Sequence, residues 1–461
     1  MLRSPSAALA LVLAFGSGAP AADAPNIVFI LADDLGREDC GFMGGTDIKT
    51  PHIDRLAGAG AKLDAFYVQP VCSPTRAAFL TGRYPMRHGL QVGVVRPWAQ
   101  YGLPLDEQTL AQGLKSAGYT TAVVGKWHLG HNAPGYLPTR RGFDHQYGHY
   151  NGALDYFTHV RDGGFDWHKD DKVNRDEGYS THLLARAAVR FVQDAAGKKP
   201  FFLYVPFNAV HAPHQVPPEY MKPYEGRLKG ERLKYAGMLA AMDEAVGQIA
   251  AAGEKAGVRK NTLFVFSSDN GGPQPGTVTD NGKFRAGKAT LYEGGVRVAA
   301  FATWDEKIKA GSTVTEPLHM VDWYPTLLTL AGAKVEQKLP LDGLDIWPAL
   351  AQGKPSPHDA ILINTTPNNG AVRAGDWKLV VKSGADDPDG EEPKKKDGKP
   401  SVELFNLRDD PYEKTNLADK NVDKVKELRE KLAGFAKGAV APKAKPRGKE
   451  FVTPKVWGEK D

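Results

Sequence analysis

Four stretches of this 461-residue chain are apolar without interruption, and they limit its fold more than any other feature. They are NIVFILA at residues 26–32, TTAVVG at 120–125, FFLYVPF at 201–207 and TLFVFSS at 262–268. A strand with one wet face alternates apolar and polar residues, whereas an unbroken run has to be covered on both faces. Amphipathic helical patterns at residues 105–118, 181–197 and 231–257 separate the runs. Strand and helix in alternation predict an α/β domain, with a large, mostly parallel sheet flanked by helices. After about residue 355 the texture changes. AILINTT, AVRAGDWKLVVKSG and VELFNLRDDP read as short antiparallel strands with turns, and VDKVKELREKLAGFA reads as a closing helix. The expected division is a large domain over 23–355 and a small C-terminal α+β subdomain over 356–435. Residues 385–400, charged and rich in Pro and Gly, read as a flexible loop.

The two ends have characters of their own. Arg3 precedes an apolar run over residues 7–15, and small residues in A-x-A patterns follow. That is the pattern of a secretory signal peptide over residues 1–22, too short to span a bilayer. It predicts an exported protein, periplasmic or extracellular, without stable membrane insertion. The formal charge of +5 is concentrated in the tail. Residues 436–461 hold seven Lys or Arg against three Asp or Glu, so the body is near neutral. A neutral body argues against nucleic-acid binding, and the basic tail reads as a solvated, disordered end.

In open α/β sheets, ligands bind beyond the carboxyl ends of the strands. The four apolar runs lead into Asp33-Asp34, Lys126-Trp127-His128, Asn208-Ala209-Val210-His211 and Asp269-Asn270. Each has an ordinary explanation on its own, since aspartates cap helices, Asp-Asn-Gly-Gly turns, and a lone histidine is usually structural. Four such ends in one sheet describe something more specific. Asp33, Asp34, Asp269 and Asn270 offer only oxygen donors, which suits calcium or magnesium rather than zinc. Lys126, His128 and His211 add cationic and protonating groups. The stretch VCSPTR opens a helical pattern whose N-terminus would present N–H groups to an anion.

These motifs resemble the type I sulfatases. LADDLG, VCSPTRAAFLTGRY, GYTTAVVGKWHLG, LPTRRGFD, VHAPH, SSDNGG, GDWKLV and ELFNLRDDPYEKTNLA carry the resemblance in order. TPHIDRL, PLDEQTL, YAGMLAAMDEAVG and LYEGGVR look most like the arylsulfatase B, or N-acetylgalactosamine-4-sulfatase, group. The resemblance runs from about Asn26 to Leu417 and implies an alkaline-phosphatase-like sandwich. It implies that Cys72, in C-x-P-x-R, is converted to formylglycine by a formylglycine-generating enzyme. One hydroxyl of the aldehyde hydrate would attack sulfur and expel the alcohol. The other would then lose its proton, breaking the carbon–oxygen bond to release sulfate. By the same resemblance Asp33, Asp34, Asp269, Asn270 and the modified Cys72 hold calcium. Arg76 holds the hydrate, and Lys126 and Lys288 clamp the sulfate. His128 is the base for sulfate release, and His211 is the acid for the leaving alcohol. The implied substrate is a sulfated carbohydrate, such as a glycosaminoglycan.

Three other readings compete. Cys40 and Cys72 could pair in a secreted chain, and Cys72 could be a thiol nucleophile, although no papain-type signature accompanies it. A phosphonate or phosphate ester hydrolase would share the superfamily and the formylglycine. A non-catalytic binder of sulfated glycans would have lost a cysteine, carboxylate or histidine of the set, and none is lost here. The segment 146–169, rich in aromatics and histidines, is equally consistent with a sugar site and with packing.

Overall fold

The computed structural model describes residues 24–334, 338–367, 369–383 and 400–459. The expected leader over 1–22, and all but the last residue of the expected loop over 385–400, lie outside them.

The strands of the main sheet are β1 (Asn26–Ala32), β2 (Ala61–Leu63), β3 (Thr120–Lys126), β4 (His145–His149), β5 (His168–Lys169) and β6 (Lys172–Val173). They continue with β7 (Phe201–Pro206), β8 (Thr262–Ser268), β9 (Ala300–Thr303) and β10 (Ser312–Val314). Their spatial order is β10-β2-β9-β8-β1-β7-β3-β4-β5-β6. The four apolar runs are the central strands β8, β1, β7 and β3, parallel to one another. Strand β1 is buried at every position. Ile27, Phe29 and Leu31 face one hydrophobic cluster with Phe79, Tyr204 and Trp323. Val28 and Ile30 face a second cluster with Leu184, Leu239 and Met242. The two-sided cover explains the missing alternation.

Helices α1 (Cys72–Thr81) and α2 (Leu110–Ser116) contribute to the first layer. Helices α3 (Ser180–Ala195) and α4 (Gly230–Lys255) contribute to the second. All ten residues of α1 are buried, which fits its lack of an amphipathic stripe. A four-stranded antiparallel sheet follows, of β11 (Ile361–Thr365), β12 (Gly370–Ala374), β13 (Trp377–Lys382) and β14 (Ser401–Asn406). Helix α5 (Val422–Ala436) packs across it through Leu428.

The structure departs from the expected disordered tail. Residues 437–459 are laid along the large domain, where Val440 N donates to Met86 O at 2.8 Å and Lys443 N to Gly89 O at 2.8 Å. Trp457 is fully buried. A single buried indole outweighs the charge pattern, because it removes a large apolar area from water. Part of the segment 146–169 is packing: Trp167 is fully buried and stacks on His149 and His159.

Candidate active site

The register of the sheet builds the site. Ala32 pairs with Ser268, so Asp33 and Asp34 leave β1 beside Asp269 and Asn270 leaving β8. On the other side of β1, strand β7 leads into Asn208 and His211, and β3 ends at Lys126. All four central strands therefore deliver their polar residues to one edge. Helix α1 comes to the same place, with Cys72 as its first residue and no side chain capping it.

Cys72 sits among these groups, with Sγ 3.4 Å from Asp33 Oδ1 and 3.5 Å from Asn270 Oδ1. Both cysteines are free and buried, so the disulfide reading is not supported. Burial, with Asp269 and Asp33 nearby, pushes the Cys72 thiol well above its ordinary range. A thiol held protonated is a poor nucleophile.

The charges are tightly interlocked. The Arg76 guanidinium donates to Asp269 Oδ2 at 2.7 Å and to the Lys126 carbonyl at 2.9 Å. Its other neighbour is Asp33 Oδ2 at 3.4 Å, which also accepts from Lys126 Nζ. Lys288 Nζ lies 2.9 Å from Asp34 Oδ1, and His211 Nε2 lies 3.6 Å from Asp34 Oδ2. Asn270 Nδ2 donates to Asp34 Oδ1 at 2.7 Å. Burial favours the neutral form of Asp34, but Lys288, His211 and Asn270 outweigh it and hold the carboxyl below its usual range. Burial raises Asp33 to about 7, with Asp269 reinforcing it against Lys126 and Arg76. Burial and the surrounding cations push His128 well below its ordinary value and His211 to about 3.

Every expected site residue is thus brought to one place: Asp33, Asp34, Cys72, Arg76, Lys126, His128, His211, Asp269, Asn270 and Lys288. Ligand-bearing atoms of Asp33, Asp34, Cys72 and His211 all lie within 4.8 Å of one another. The oxygen donors of Asp33, Asp34, Asp269 and Asn270 fit a hard divalent cation, with the Cys72 sulfur and the His211 nitrogen beside Asp33 and Asp34.

Other residues, not among the expected site residues, also shape the site. Gly152 lies against the His128 ring, where an added Cβ would stand 2.4 Å from His128 Cε1. Ser73 Oγ donates to the His128 carbonyl at 2.9 Å and accepts from Val95 N at 3.0 Å. Tyr156 Oη lies 2.6 and 2.8 Å from the Asn208 and His211 carbonyls, which share its one proton. Asp34 and His128 both adopt left-handed backbone, with φ of 61° and 57°. Strained geometry of this kind clusters at functional sites.

The Sulfatase family model matches residues 25–333, which include all ten of these positions. The chain belongs to the sulfatase family. It is a type I sulfatase, a sulfuric ester hydrolase. Mouse arylsulfatase J is 36% identical over 488 residues, covering 96% of this chain and 81% of its own length. Mouse N-acetylgalactosamine-6-sulfatase is 36% identical over 362 residues, covering 73% of this chain and 68% of its own. The crystal structure of Ps i-CgsB in complex with k-i-k-neocarrahexaose superposes with a TM-score of 0.82 at 33% identity. It covers 91% of this chain and 94% of that one. These sulfatases do not favour the phosphonate or phosphate ester reading. The likeness to arylsulfatase B remains one of motifs, since these relatives carry other names.

Proposed function

We propose that this sulfatase hydrolyses sulfate esters on a carbohydrate, using formylglycine made from Cys72 and a calcium ion. The observation that carries the reading is the convergence of four strand ends and the α1 N-terminus on Cys72. The glycan-bound Ps i-CgsB structure and the N-acetylgalactosamine-6-sulfatase relative support a carbohydrate substrate.

Asp33, Asp34, Asp269 and Asn270 would hold the ion, which would supply Lewis-acid polarisation of a sulfate oxygen. The hydrated aldehyde would supply a hydroxyl nucleophile with its own exit route. The chain's own residues do the rest. Arg76 fixes Asp269 and lies against Asp33, so the carboxylates keep their spacing. Lys126 and Lys288 would bind the sulfate, and the N–H groups at the α1 N-terminus would add to its binding. His211, whose side chain is partly exposed, would give a proton to the departing alcohol oxygen. His128, deeper and neutral, is placed to take a proton at residue 72. The proposed organisation is a removed leader over 1–22, a catalytic domain over 23–355 and a subdomain over 356–435, working outside the cytoplasm.

Mass spectrometry of the peptide bearing residue 72 tests the reading. Natively made, active protein is expected to have lost the sulfur at that position; an intact thiol in active protein refutes the mechanism. Cys72→Ala is expected to abolish turnover of an aryl sulfate without changing the unfolding midpoint by more than a few degrees. Chelation by EGTA is expected to lower both turnover and unfolding midpoint, with calcium restoring both, because a ligand bound only to the folded state stabilises it. Unchanged behaviour in EGTA would remove the metal from the scheme.

A further inference from the structure

Residues 442–459 form one wall of a cleft of about 990 Å³. Residues 97–101 make the facing wall, and residues 131–134 make the floor. The tail wall is firmly attached. Trp457 N donates to Phe165 O at 2.9 Å, and Trp457 Nε1 to Arg161 O at 2.8 Å. His131 meets the same indole edge-on, with ring centroids 5.3 Å apart. Trp98 Nε1 donates to Lys445 O at 3.2 Å, which ties the two walls together.

Two of the loops that line the cleft lead back to the candidate active site. His131 stands three residues beyond His128. The facing loop begins just after Val95, whose N–H reaches Ser73 Oγ, and that hydroxyl holds the His128 carbonyl.

The lining has a definite chemistry. Trp98 and Tyr101 present partly exposed aromatic surface, and Lys443 and Lys445 present ammonium groups. Glu450 and Glu459 also line the cleft. Flat aromatic faces suit the C–H faces of sugar rings, ammonium groups suit sulfate, and carboxylates accept from sugar hydroxyls. A purely apolar or purely basic partner would leave one of these groups unmatched.

We infer that this cleft is a second carbohydrate subsite, which holds the units of a sulfated glycan next to the one whose ester is cut. Lys443 and Lys445 take a further sulfate there, and Trp98 carries a sugar ring. The inference rests on a sulfated carbohydrate being the substrate. It assigns the basic tail a recognition role.

The test is calorimetric binding to full-length Cys72→Ala protein, which does not consume its ligand. The probes are matched disaccharides and hexasaccharides of chondroitin sulfate and of carrageenan. With at least one series, the hexasaccharide is expected to bind about tenfold more tightly than the disaccharide. Adding Trp98→Ala, or Lys443→Ala with Lys445→Ala, is expected to bring that ratio towards one. The lysine pair is also expected to flatten its dependence on salt. Unfolding midpoints verify that each variant is folded. A parent protein without length preference in either series overturns the subsite, and so does a preference that survives both sets of changes. Aryl sulfate turnover by the unmutated enzyme is measured alongside. Its absence counts against the reaction, while the length ratio still decides the subsite.

Discussion

At the scale of single residues, the site depends as much on small side chains as on charged ones. Cys72 and the four acid or amide donors were legible because each follows a strand or opens a helix. Gly152 was not, because nothing in its sequence neighbourhood marks the ring it supports. An alanine there would place Cβ 2.4 Å from His128 Cε1 and 2.5 Å from Nε2. Gly152 has no left-handed φ, so the backbone accepts alanine and the conflict falls on the imidazole. We expect Gly152→Ala to lower kcat on an aryl sulfate by about a hundredfold, the scale of an ångström-sized misplacement. KM and the unfolding midpoint should change little. Retained kcat would show that the ring adapts and that Gly152 is no positioning residue.

At the scale of elements, the central strands were legible and the sheet's edges were not. Unbroken apolar runs marked β1, β3, β7 and β8. Strands β5 and β6 have two residues each and carry no periodicity to read. The second sheet was legible as strands, but its attachment was not, since that depends on charges far apart in sequence. Lys378 on β13 lies fully buried, 2.8 Å from both Glu293 Oε1 and Glu413 Oε1. Glu293 also accepts from Tyr67 Oη at 2.8 Å, which ties the large domain to the same lysine. Burial opposes its charge, yet Lys378, Arg297 and Arg373 hold Glu293 down to about 2, whereas burial leaves Glu413 raised. Removing one member of a buried ionic cluster strands the others, at about 3–5 kcal/mol. Lys378→Met should therefore lower stability by about that amount and speed amide exchange across β13. Adding Glu413→Gln should recover part of the loss. An unfolding midpoint unchanged in Lys378→Met would mean that apolar contacts alone hold the subdomain.

At the scale of the whole molecule, the tail closes over surface that would otherwise meet water, and His88 shows the consequence. It is 3% exposed, and neither ring nitrogen finds a partner among the described residues. Burial, with Arg83 and then Lys443 of the tail, lowers it to about 3 from an ordinary 6.5. Above pH 6.5 the folded and unfolded chains both hold it neutral. As pH falls from 6.5 towards 3, the unfolded chain takes up a proton that the folded chain refuses. Stability is therefore lost across that window, by about 1.4 kcal/mol per pH unit for one such group. His319 is likewise lowered to about 3 by burial and adds in the same direction. Asp243, raised to about 6 by burial, acts oppositely: its contribution falls as pH rises from 3.8 to 6. A difference measurement isolates His88 from both. Leucine fills a similar volume and leaves no partner behind, so His88→Leu should be more stable relative to wild type at pH 4.5 than at pH 7. The expected gap is about 2–3 kcal/mol by urea unfolding. Parallel pH profiles for the two proteins would mean that the folded chain admits the proton at His88, and that the tail does not seal it from water.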